Sequence, residues 1–319
     1  MRYLVTGGAG FIGSNLADQL LADGNQVVIL DNFDPTYPRS VKEMNIAKAS
    51  SYRNFKLVEG DIRDRELLCR TIVDNKIELI VHLAAKTGVR HSLEMADEYY
   101  DVNVRGTLCI LETMKELGLG KLVFASSSSV YGNSNEIPFR EDCTIDFPIS
   151  PYASSKRSGE LLCHVYSHLY GFDISCLRLF TVFGPRQRPD LAIYKFTTYI
   201  NDDRYIPFYG DGSTSRDYTY VSDTVMGIIA AAERVRRFDI FNLGGASSIT
   251  LDHLVKKIGF YLKKEPKLDR RPMQPGDVIT TCGSVLKASK VLNYRPKITI
   301  DEGLKLFINW YFKIQMQHV

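Results

Sequence analysis

The sequence has few of the features that mark secreted, membrane or nucleic-acid-binding proteins. Its six cysteines among 319 residues show no C-x-x-C pair and no regular spacing, which is typical of reduced thiols in a cytoplasmic protein. It has no run of 18 apolar residues, and it starts on a strand-like segment rather than on a signal peptide. Its 40 basic and 37 acidic side chains leave a net charge of only +3, which does not indicate a polyanion partner. We therefore expect a cytoplasmic globular protein that binds neither membrane nor nucleic acid.

Short apolar segments alternate with amphipathic stretches over residues 3–180, which is typical of βαβ units and a parallel sheet. These segments are YLVTG from residue 3, VVILD from 27, FKLVEGD from 55, LIVHLA from 79, KLVFAS from 121 and DISCLRLF from 173. A similar segment, FDIFNLGG from residue 238, indicates that the chain returns to the same sheet. We therefore predict an α/β fold with a Rossmann-type doubly wound parallel sheet over 1–180, a return at 217–247, and a smaller mixed α/β region over 181–216 and 248–319.

Three glycines, Gly7, Gly10 and Gly13, lie between the first predicted strand and the next helix. Glycine suits this turn because a side chain would keep the backbone away from a pyrophosphate at the helix N-terminus. Asp31 ends the second predicted strand, where a carboxylate accepts hydrogen bonds from a ribose diol and repels a 2'-phosphate. The pattern therefore favours NAD over NADP. Asp61, after the third strand, fits a contact to the adenine edge and a simple helix cap equally well.

A tyrosine and a lysine four residues apart, Tyr152 and Lys156, follow a helix start predicted at Ser150. On a helix this spacing puts both side chains on one face. A free phenol has a pKa near ~10, but an ammonium, a cationic nicotinamide and a helix N-terminus each favour the phenolate, so Tyr152 is a candidate base. Four serines at 126–129 end the strand before this helix. They form either a flexible linker or a row of hydroxyls that faces a site.

Together these motifs resemble the extended short-chain dehydrogenase/reductase (NAD-dependent epimerase/dehydratase) family. The resemblance covers essentially the whole chain and rests on TGGAGFIG from residue 6, HLAAK from 82, the serine-rich strand end and YASSK from 152. Longer strings are similar to the members that epimerise UDP-glucuronate at C4: GVRHS from 88, CHVYSHLYG from 163, LRLFTVFGPRQRPD from 177 and SRDYTYVSD from 215.

The resemblance implies NAD as cofactor, a UDP-sugar as substrate, and catalysis by Tyr152, Lys156 and Ser127. Ser127 and Tyr152 would contact the sugar O4, while Lys156 would bond the nicotinamide ribose and favour the ionised form of Tyr152. The family's cofactor-binding positions correspond to Gly7, Gly10, Phe11, Ile12, Gly13, Asp31, Asn32, Asp61, Ile62, Leu83, Ala84, Ala85, Asn103, Tyr152 and Lys156. No metal is expected, since His164 and His168 lack the glutamate and the third ligand of a zinc helix.

Two positions differ from other branches of the family. Its dehydratases and decarboxylases carry a glutamate where this chain has Ser129, and its neutral UDP-hexose epimerases carry an asparagine where this chain has Thr181. The hydroxyls of Ser128, Ser129 and Thr181 could bond a substrate carboxylate without adding negative charge. Our hypothesis is that they hold the carboxylate of a 4-keto acid out of line with the ketone, so that carbon dioxide is retained.

Three arginines complete the substrate contacts that the resemblance implies: Arg90, Arg188 and Arg216, the latter two at the diphosphate. Guanidinium groups suit both phosphate and carboxylate. Asp277, in a Pro-Gly-Asp turn, is equally consistent with a contact to the uridine ribose and with an ordinary turn residue.

The expected reaction is conversion of UDP-glucuronate to UDP-galacturonate through a 4-keto intermediate without decarboxylation. The alternatives are a UDP-glucose or UDP-N-acetylglucosamine 4-epimerase, against which Thr181 argues, and then a UDP-glucuronate decarboxylase, against which Ser129 argues. A non-catalytic NAD-sensing protein would not need Ser127, Tyr152 and Lys156 together. Family members commonly dimerise through the helices that hold Asn103 and Tyr152, so a homodimer is expected. The UDP-sugar would bind to residues 181–216 and 248–319, and NAD to the larger domain.

Overall fold

A computed structural model describes residues 1–134, 136–273 and 278–316 of the chain. Within these residues the strands are β1 (Arg2–Thr6), β2 (Gln26–Asp31), β3 (Phe55–Glu59), β4 (Leu79–His82), β5 (Lys121–Ser127), β6 (Asp173–Leu179), β7 (Thr181–Phe183), β8 (Tyr205–Tyr209), β9 (Ser215–Tyr220), β10 (Phe238–Leu243), β11 (Ser248–Thr250) and β12 (Lys267–Arg271).

The α-helices are α1 (Phe11–Ala22), α2 (Arg39–Ile46), α3 (Arg65–Asp74), α4 (Val89–Glu94), α5 (Ala96–Tyr100), α6 (Gly106–Leu117), α7 (Pro151–Tyr170), α8 (Ala192–Asn201), α9 (Val221–Arg234), α10 (Leu251–Leu262), α11 (Leu286–Leu292) and α12 (Ile300–Met316). Short 3-10 helices lie at Ala49–Ser51 and Ser128–Tyr131, and Asp101–Arg105 winds as a π-helix. None of the helices described is long and apolar enough to cross a bilayer.

The main sheet has seven parallel strands in the order β3-β2-β1-β4-β5-β6-β10. The chain builds outward from β1 to β3 and then restarts beside β1 with β4, so the strand order reverses between β1 and β4. The segment predicted from residue 238 does return to this sheet, because Phe238 pairs with Ile174 and the register continues to Leu243 opposite Leu179. Residues 217–220 of the predicted return instead lie in β9, which belongs to a separate small sheet. This is the doubly wound topology, whose ligands bind at the reversal point outside the carboxyl ends of the strands. The predicted fold class is therefore confirmed.

The main sheet is covered on both faces because its strands are apolar in successive residues. Leu4 of β1 packs into the core that also holds residues of α3, α6 and α7, whereas its neighbour Val5 packs into the core that holds residues of α1 and α9. Side chains alternate between the faces of a strand, so a continuous apolar run fills both cores. The result is a three-layer arrangement in which every central strand is buried.

The remaining strands form two small sheets. The order β11-β9-β7 makes a three-stranded sheet, with β7 and β9 parallel and β9 and β11 antiparallel, and β12 pairs with β8 in parallel. The core on the α1 and α9 side continues into this part of the molecule through Phe196, Phe208, Leu254 and Phe307. All six cysteines are free thiols, as expected from their spacing.

Candidate active site

A cavity of about 690 Å³ lies at the carboxyl ends of the strands, where ligands bind in this topology. Most of the predicted site residues line it, namely Gly7, Gly10, Phe11, Ile12, Gly13, Asp31, Asn32, Asp61, Ile62, Leu83, Ala84, Ala85, Ser127, Ser128, Ser129, Tyr152, Lys156, Thr181, Arg188 and Arg216. Asn103 and Arg90 are not among the described residues of its wall, and Asp277 lies outside the described residues.

The glycine turn brings bare backbone to one end of the cavity. Gly7 has a φ of +68°, which favours glycine, and a Cβ added there would lie 2.7 Å from the amide nitrogen of Ala84. A Cβ on Gly13 would lie 2.4 Å from the carbonyl oxygen of Gly7. The turn leads directly into α1, so a helix N-terminus lies beside exposed backbone. This arrangement fits the pyrophosphate of a dinucleotide.

Asp31 is held rigidly at the end of β2. Its carboxylate accepts the amide N–H groups of Ala9 at 3.0 Å and of Phe33 at 2.9 Å, and Lys42 Nζ lies 3.4 Å away. The side chains of Asp31 and Lys42 are both almost fully buried. A carboxylate has further lone pairs beyond these contacts, so Asp31 keeps acceptor capacity toward the cavity and fits a ribose diol.

Asp61 lines the same end of the cavity but is tied to its neighbours. Arg63 donates to both carboxylate oxygens, at 2.8 Å and 2.7 Å, and Asn32 donates to one of them at 2.9 Å. The bonds from Arg63 lower the pKa of Asp61 to about 2. Asp61 is not the cap of α3, since the N-cap residue there is Asp64.

Lys86 bridges two segments of the cavity wall. Its ammonium lies 3.0 Å from Asp34 in the loop after β2 and 3.1 Å from Glu98 on α5, and all three residues line the cavity. Asn103 fixes the backbone of this lysine, because its side chain accepts the N–H of Lys86 at 2.8 Å and donates to its carbonyl at 3.0 Å. The same amide donates to Ser155 on α7 at 2.9 Å. Asn103 therefore supports the wall from behind.

His82 at the end of β4 is buried in the core. It is hydrogen-bonded to Thr6 at 2.7 Å and to Thr107 at 3.1 Å, and burial lowers its pKa to about 3. The two histidines on α7 make ring contacts instead of hydrogen bonds to threonines. His164 packs edge-on against Phe238 and stacks on His168, and no group of residues that could hold a metal occurs in the part of the chain that the structure describes.

The helix α7 places Tyr152 and Lys156 together in the cavity wall. It starts as predicted, since Ser150 Oγ accepts the N–H of Ala153 at 3.2 Å. The helix ends at Tyr170. Lys156 is 4 % exposed and donates to the carbonyl of Ala125 at 2.8 Å. Burial lowers the pKa of its ammonium to about 8.

The phenol of Tyr152 lies beside the hydroxyl of Ser127. Burial raises the pKa of the phenol, and the nearby Ser127 hydroxyl and the charge of Arg188 lower it in part. This differs from the expectation that nearby charges favour the phenolate, because burial is the larger effect in the protein alone. A base at neutral pH therefore requires a cationic ligand beside the phenol.

The four serines are anchored hydroxyls rather than a linker. Ser126 and Ser127 end β5, and the 3-10 helix starts at Ser128. Ser127 Oγ accepts the N–H of Ser129 at 3.2 Å and donates to its hydroxyl at the same distance. Ser126 is also part of the cavity wall, and its hydroxyl donates to the buried carboxylate of Glu160 at 2.6 Å.

The three predicted arginines lie in different surroundings. Arg188 donates to both oxygens of Asp190, at 3.0 Å and 2.8 Å, and contacts Thr87. Arg216 lines the cavity and donates to the carbonyl of Ser215 at 2.9 Å. Arg90 is exposed, with its guanidinium 4.8 Å from the ring centre of Tyr209. The geometry therefore brings two of the three to the cavity.

Acidic side chains line only one part of the described wall. We call the part that holds Asp31, Asp34, Asp61 and Glu98 the acidic half. The hydroxyl half, formed by the ends of β5 and β6 and the start of α7, holds Ser127, Ser128, Ser129, Tyr152 and Thr181, with the cations Lys156 and Arg188. No aspartate or glutamate of the described residues lines the hydroxyl half.

Several wall residues were not predicted. Lys86 and Thr87 directly follow the residues assigned after β4, and their place in the chain could have indicated them. Lys42 and Tyr37 come from α2 and the loop before it, and no spacing signal links them to Asp31. Val278 and Thr281 reach the cavity from the far C-terminal part of the chain.

Comparison with known proteins gives consistent results. A family model described as GDP-mannose 4,6 dehydratase matches residues 4–307. A protein of Thermodesulfobacterium geofontis named UDP-glucuronate 4-epimerase is 40% identical over 309 residues, which cover 97% of this chain and 95% of that protein.

Two solved structures illustrate the likeness of the fold. UDP-glucuronic acid 4-epimerase from Bacillus cereus, in complex with UDP-glucuronic acid and NAD, has a TM-score of 0.93 and 34% identity, covering 98% of this chain and 100% of that chain. UDP-glucose 4-epimerase from Thermotoga maritima, with UDP-glucose, has a TM-score of 0.91 and 31% identity, covering 99% of this chain and 100% of that chain.

Proposed function

Because the chain belongs to the GDP-mannose 4,6-dehydratase family of extended short-chain dehydrogenases/reductases, we propose that it binds NAD and converts UDP-glucuronate to UDP-galacturonate without decarboxylation. The observation that carries this choice of substrate is the hydroxyl half of the cavity. Its described wall offers neutral donors and two cations, and no carboxylate, to a sugar that is itself an acid. Relatives and solved neighbours of this substrate class support the same choice.

In this proposal the acidic half holds the cofactor. The glycine turn would take its pyrophosphate, and the buried carboxylate of Asp31 would bond the adenosine ribose. When bound, NAD supplies both an acceptor and a donor for the hydride at C4, and ends unchanged. Residues 1–180 and the return at 217–247 would form this domain, with residues 181–216 and 248–319 closing over the UDP-sugar.

Tyr152 is the proposed proton carrier. Its phenolate oxygen takes the O4 proton when the sugar is oxidised and gives it back when the 4-keto sugar is reduced on its other face. Ser127 lies beside Tyr152 in the cavity wall and would share O4. Lys156 has three N–H donors and uses one of them for the carbonyl of Ala125. The other two would hold the nicotinamide ribose.

The 4-keto acid made from UDP-glucuronate is prone to lose carbon dioxide, and we propose that hydroxyls prevent this. Ser128, Ser129 and Thr181 would bond the carboxylate and keep its carbon–carbon bond out of line with the ketone. Ser129 is already fixed by its two bonds to Ser127, which favours a set orientation. A glutamate at residue 129 would instead repel the substrate acid.

One assay tests the reaction. The purified protein is incubated separately with UDP-glucuronate, UDP-glucose and UDP-N-acetylglucosamine, and products are identified by NMR. We expect UDP-galacturonate from the first and no UDP-pentose. Turnover of only the neutral sugars would favour the second candidate, a UDP-glucose or UDP-N-acetylglucosamine 4-epimerase, which the likeness to the Thermotoga maritima enzyme keeps open.

A second assay tests the role of the hydroxyls. We expect the triple variant Ser128→Ala, Ser129→Ala, Thr181→Ala to release UDP-pentose and carbon dioxide from UDP-glucuronate. A triple alanine variant at Ser50, Ser51 and Ser213, which are exposed hydroxyls outside the cavity wall, is the matched control. Intact epimerisation without released pentose in the first variant would contradict the hypothesis.

We also propose that the chain forms a homodimer through α6 and α7. Leu161, Val165 and Leu169 are four residues apart on α7 and are 51%, 44% and 61% exposed, so they form one apolar stripe. Leu108 on α6 is 38% exposed. Sedimentation analysis should find a dimer, and Val165→Glu should give a monomer with an unchanged circular dichroism spectrum.

A further inference from the structure

A fully buried polar network lies behind the serine row, and the proposed reaction does not use it. Glu160 on α7 has no exposed surface, and its carboxylate accepts Ser126 Oγ at 2.6 Å and Arg178 Nε and Nη2 at 2.9 Å and 3.0 Å. Arg178 at the end of β6 donates through Nη1 to the hydroxyl of Tyr131 at 2.9 Å. Tyr131 donates to Asn242 on β10 at 2.7 Å. We call these five residues the Glu160 network.

The network is continuous with the contacts that hold the catalytic side chains. Residues 125–127 of β5 contact, one after another, three residues of a single face of α7. The carbonyl of the first accepts a hydrogen bond from Lys156 Nζ at 2.8 Å, the hydroxyl of the second donates to Glu160 at 2.6 Å, and the hydroxyl of the third lies beside the phenol of Tyr152. The strand end and the helix face thus meet at three successive points, two of them hydrogen bonds.

The chemistry of the network indicates a role in orienting β5 and α7 rather than in raising the stability of the fold. A buried ion pair is often no more stabilising than apolar side chains of the same volume, so stability alone does not explain why Glu160 and Arg178 lie here. Their two parallel hydrogen bonds fix a single relative orientation. An apolar contact would leave the orientation of the strand end against α7 poorly defined, whereas the hydrogen bond from Ser126 to Glu160 fixes that orientation.

We propose that the Glu160 network is a positioning device that fixes the end of β5 on α7 and thereby keeps the hydroxyl of Ser127 beside the phenol of Tyr152. Glu160, Arg178 and Ser126 are positioning residues and touch no substrate. The inference rests on the proposed function, since it assigns the purpose of the network to the pair that handles the O4 proton.

The test is Ser126→Ala, which removes one hydroxyl and leaves the ion pair of Glu160 with Arg178 in place. The matched control is Ser175→Ala on the adjacent strand β6, because Ser126 and Ser175 are both 3% exposed. We expect kcat to fall about tenfold in Ser126→Ala, with KM changed less than about twofold, since small misplacements of reacting groups act on the chemical step. Ser175→Ala should behave as the wild type.

Two further readouts separate positioning from loss of stability. Because the nearby Ser127 hydroxyl lowers the pKa of Tyr152, the acid limb of the kcat profile should move to higher pH in Ser126→Ala alone. Arg188 in the loop after β7 and Tyr99 on α5 also face the phenol, and Lys156 lies four residues further along α7. Both variants leave these three groups unchanged.

Crystal structures of the two variants decide the inference independently of activity. We expect the distance from Ser127 Oγ to the Tyr152 oxygen to be longer than in the wild type in Ser126→Ala and unchanged in Ser175→Ala. The same distance in all three proteins, or equal kcat and pH profiles, would overturn the inference. If the wild type epimerises no UDP-sugar, the proposed function fails, and the pair of crystal structures still decides the positioning inference.

Discussion

The two halves of the cavity use opposite chemistry. The acidic half presents Asp31 and Asp61, each fixed by several donors, beside bare backbone at the glycine turn. The hydroxyl half presents neutral donors and Lys156, for which the structure gives a single hydrogen bond, to a backbone carbonyl. Carboxylates suit the diols of a ribose, whereas hydroxyls and cations suit an acid that must be held without repulsion. In the proposed function, the carboxylates of the acidic half bond a ribose diol beside the pyrophosphate of the cofactor, and the hydroxyl half binds the acid group of the sugar.

The halves also differ in how they are supported. In the acidic half, Asp31 is fixed at the end of β2, but Asp34 lies in a loop and is tied to the wall by Lys86. The hydroxyl half is held by buried side chains of the sheet and α7, through Glu160 and Arg178. Groups that bind a resident cofactor tolerate loop support, but groups that move a proton need fixed geometry. Each prediction below changes one half and leaves the other as the reference.

The largest effect is expected from Tyr152→Phe in the hydroxyl half. Losing the proton carrier should lower kcat by about 10³-fold or more, while the acidic half still binds NAD. Activity is measured by NMR of the sugar products and bound NAD by absorbance after denaturation. Tyr170→Phe, at an exposed position of the same helix, is the control and should be fully active. Wild-type activity in Tyr152→Phe would exclude the proposed mechanism.

Ser129→Glu makes the hydroxyl half resemble the acidic half. Two like charges about 4 Å apart near a protein surface repel by up to about 4 kcal/mol. Since the decarboxylases that the chain resembles act on UDP-glucuronate with a glutamate at this position, we expect about half of that limit, and KM for UDP-glucuronate should rise about 30-fold. KM for UDP-glucose, which carries no carboxylate, should change much less. Ser129→Gln has nearly the same shape and no charge, and it should retain most of the affinity. Equal effects of the two substitutions would show that size, and not charge, matters at this position.

The next prediction concerns the free energy of unfolding that is lost by burying the charged side chain of Lys156 in the hydroxyl half. Its pKa in the folded protein is about 8, below the ordinary lysine value of 10.5, so the unfolded chain binds more protons between these pH values. Stability of the ligand-free protein should therefore rise with pH across this window, by about 2 to 3 kcal/mol from this group. The rise should be missing in Lys156→Met.

The measurement for Lys156 is urea unfolding, followed by circular dichroism, from pH 7 to 10.5. Comparison with Lys121→Met, at an exposed lysine, removes the contribution of groups that titrate in all three proteins. A slope in Lys156→Met equal to that of the wild type would contradict the prediction.

The sequence was informative where a site depends on one element or one turn. The glycine turn, Asp31 at a strand end and the pair of Tyr152 and Lys156 were all readable, because strand ends and helical spacing are local properties. The contacts between separate elements were not. Nothing in the spacing of Lys42 or Glu160 indicates their partners Asp31 and Arg178, which are brought close only by packing.

Two residues that the sequence assigned to the site also show that side-chain contacts between separate elements could not be predicted. Asn103 was assigned to the cofactor, yet its amide is used by the backbone of Lys86 and by Ser155. Arg90 was assigned to the substrate, yet it is exposed beside Tyr209. A motif gives the neighbourhood of a residue, but the direction of its side chain depends on the elements packed around it. Both assignments remain predictions.

The smallest effect is expected in the acidic half, from Lys86→Met. Its ion pairs with Asp34 and Glu98 tie the loop after β2 to the wall beyond β4, and partly exposed pairs of this kind contribute about 1 kcal/mol. Bound NAD should therefore dissociate about three- to tenfold faster, as measured by gel filtration at timed intervals and quantification of retained NAD. Lys115→Met, which removes an exposed pair with Glu112, should retain NAD as the wild type does.

High salt should weaken NAD retention in the wild type and have little effect on Lys86→Met, because screening acts on the ion pairs that the variant lacks. Unchanged retention in Lys86→Met would show that the acidic half holds its ligand through the glycine turn and Asp31 without help from this bridge.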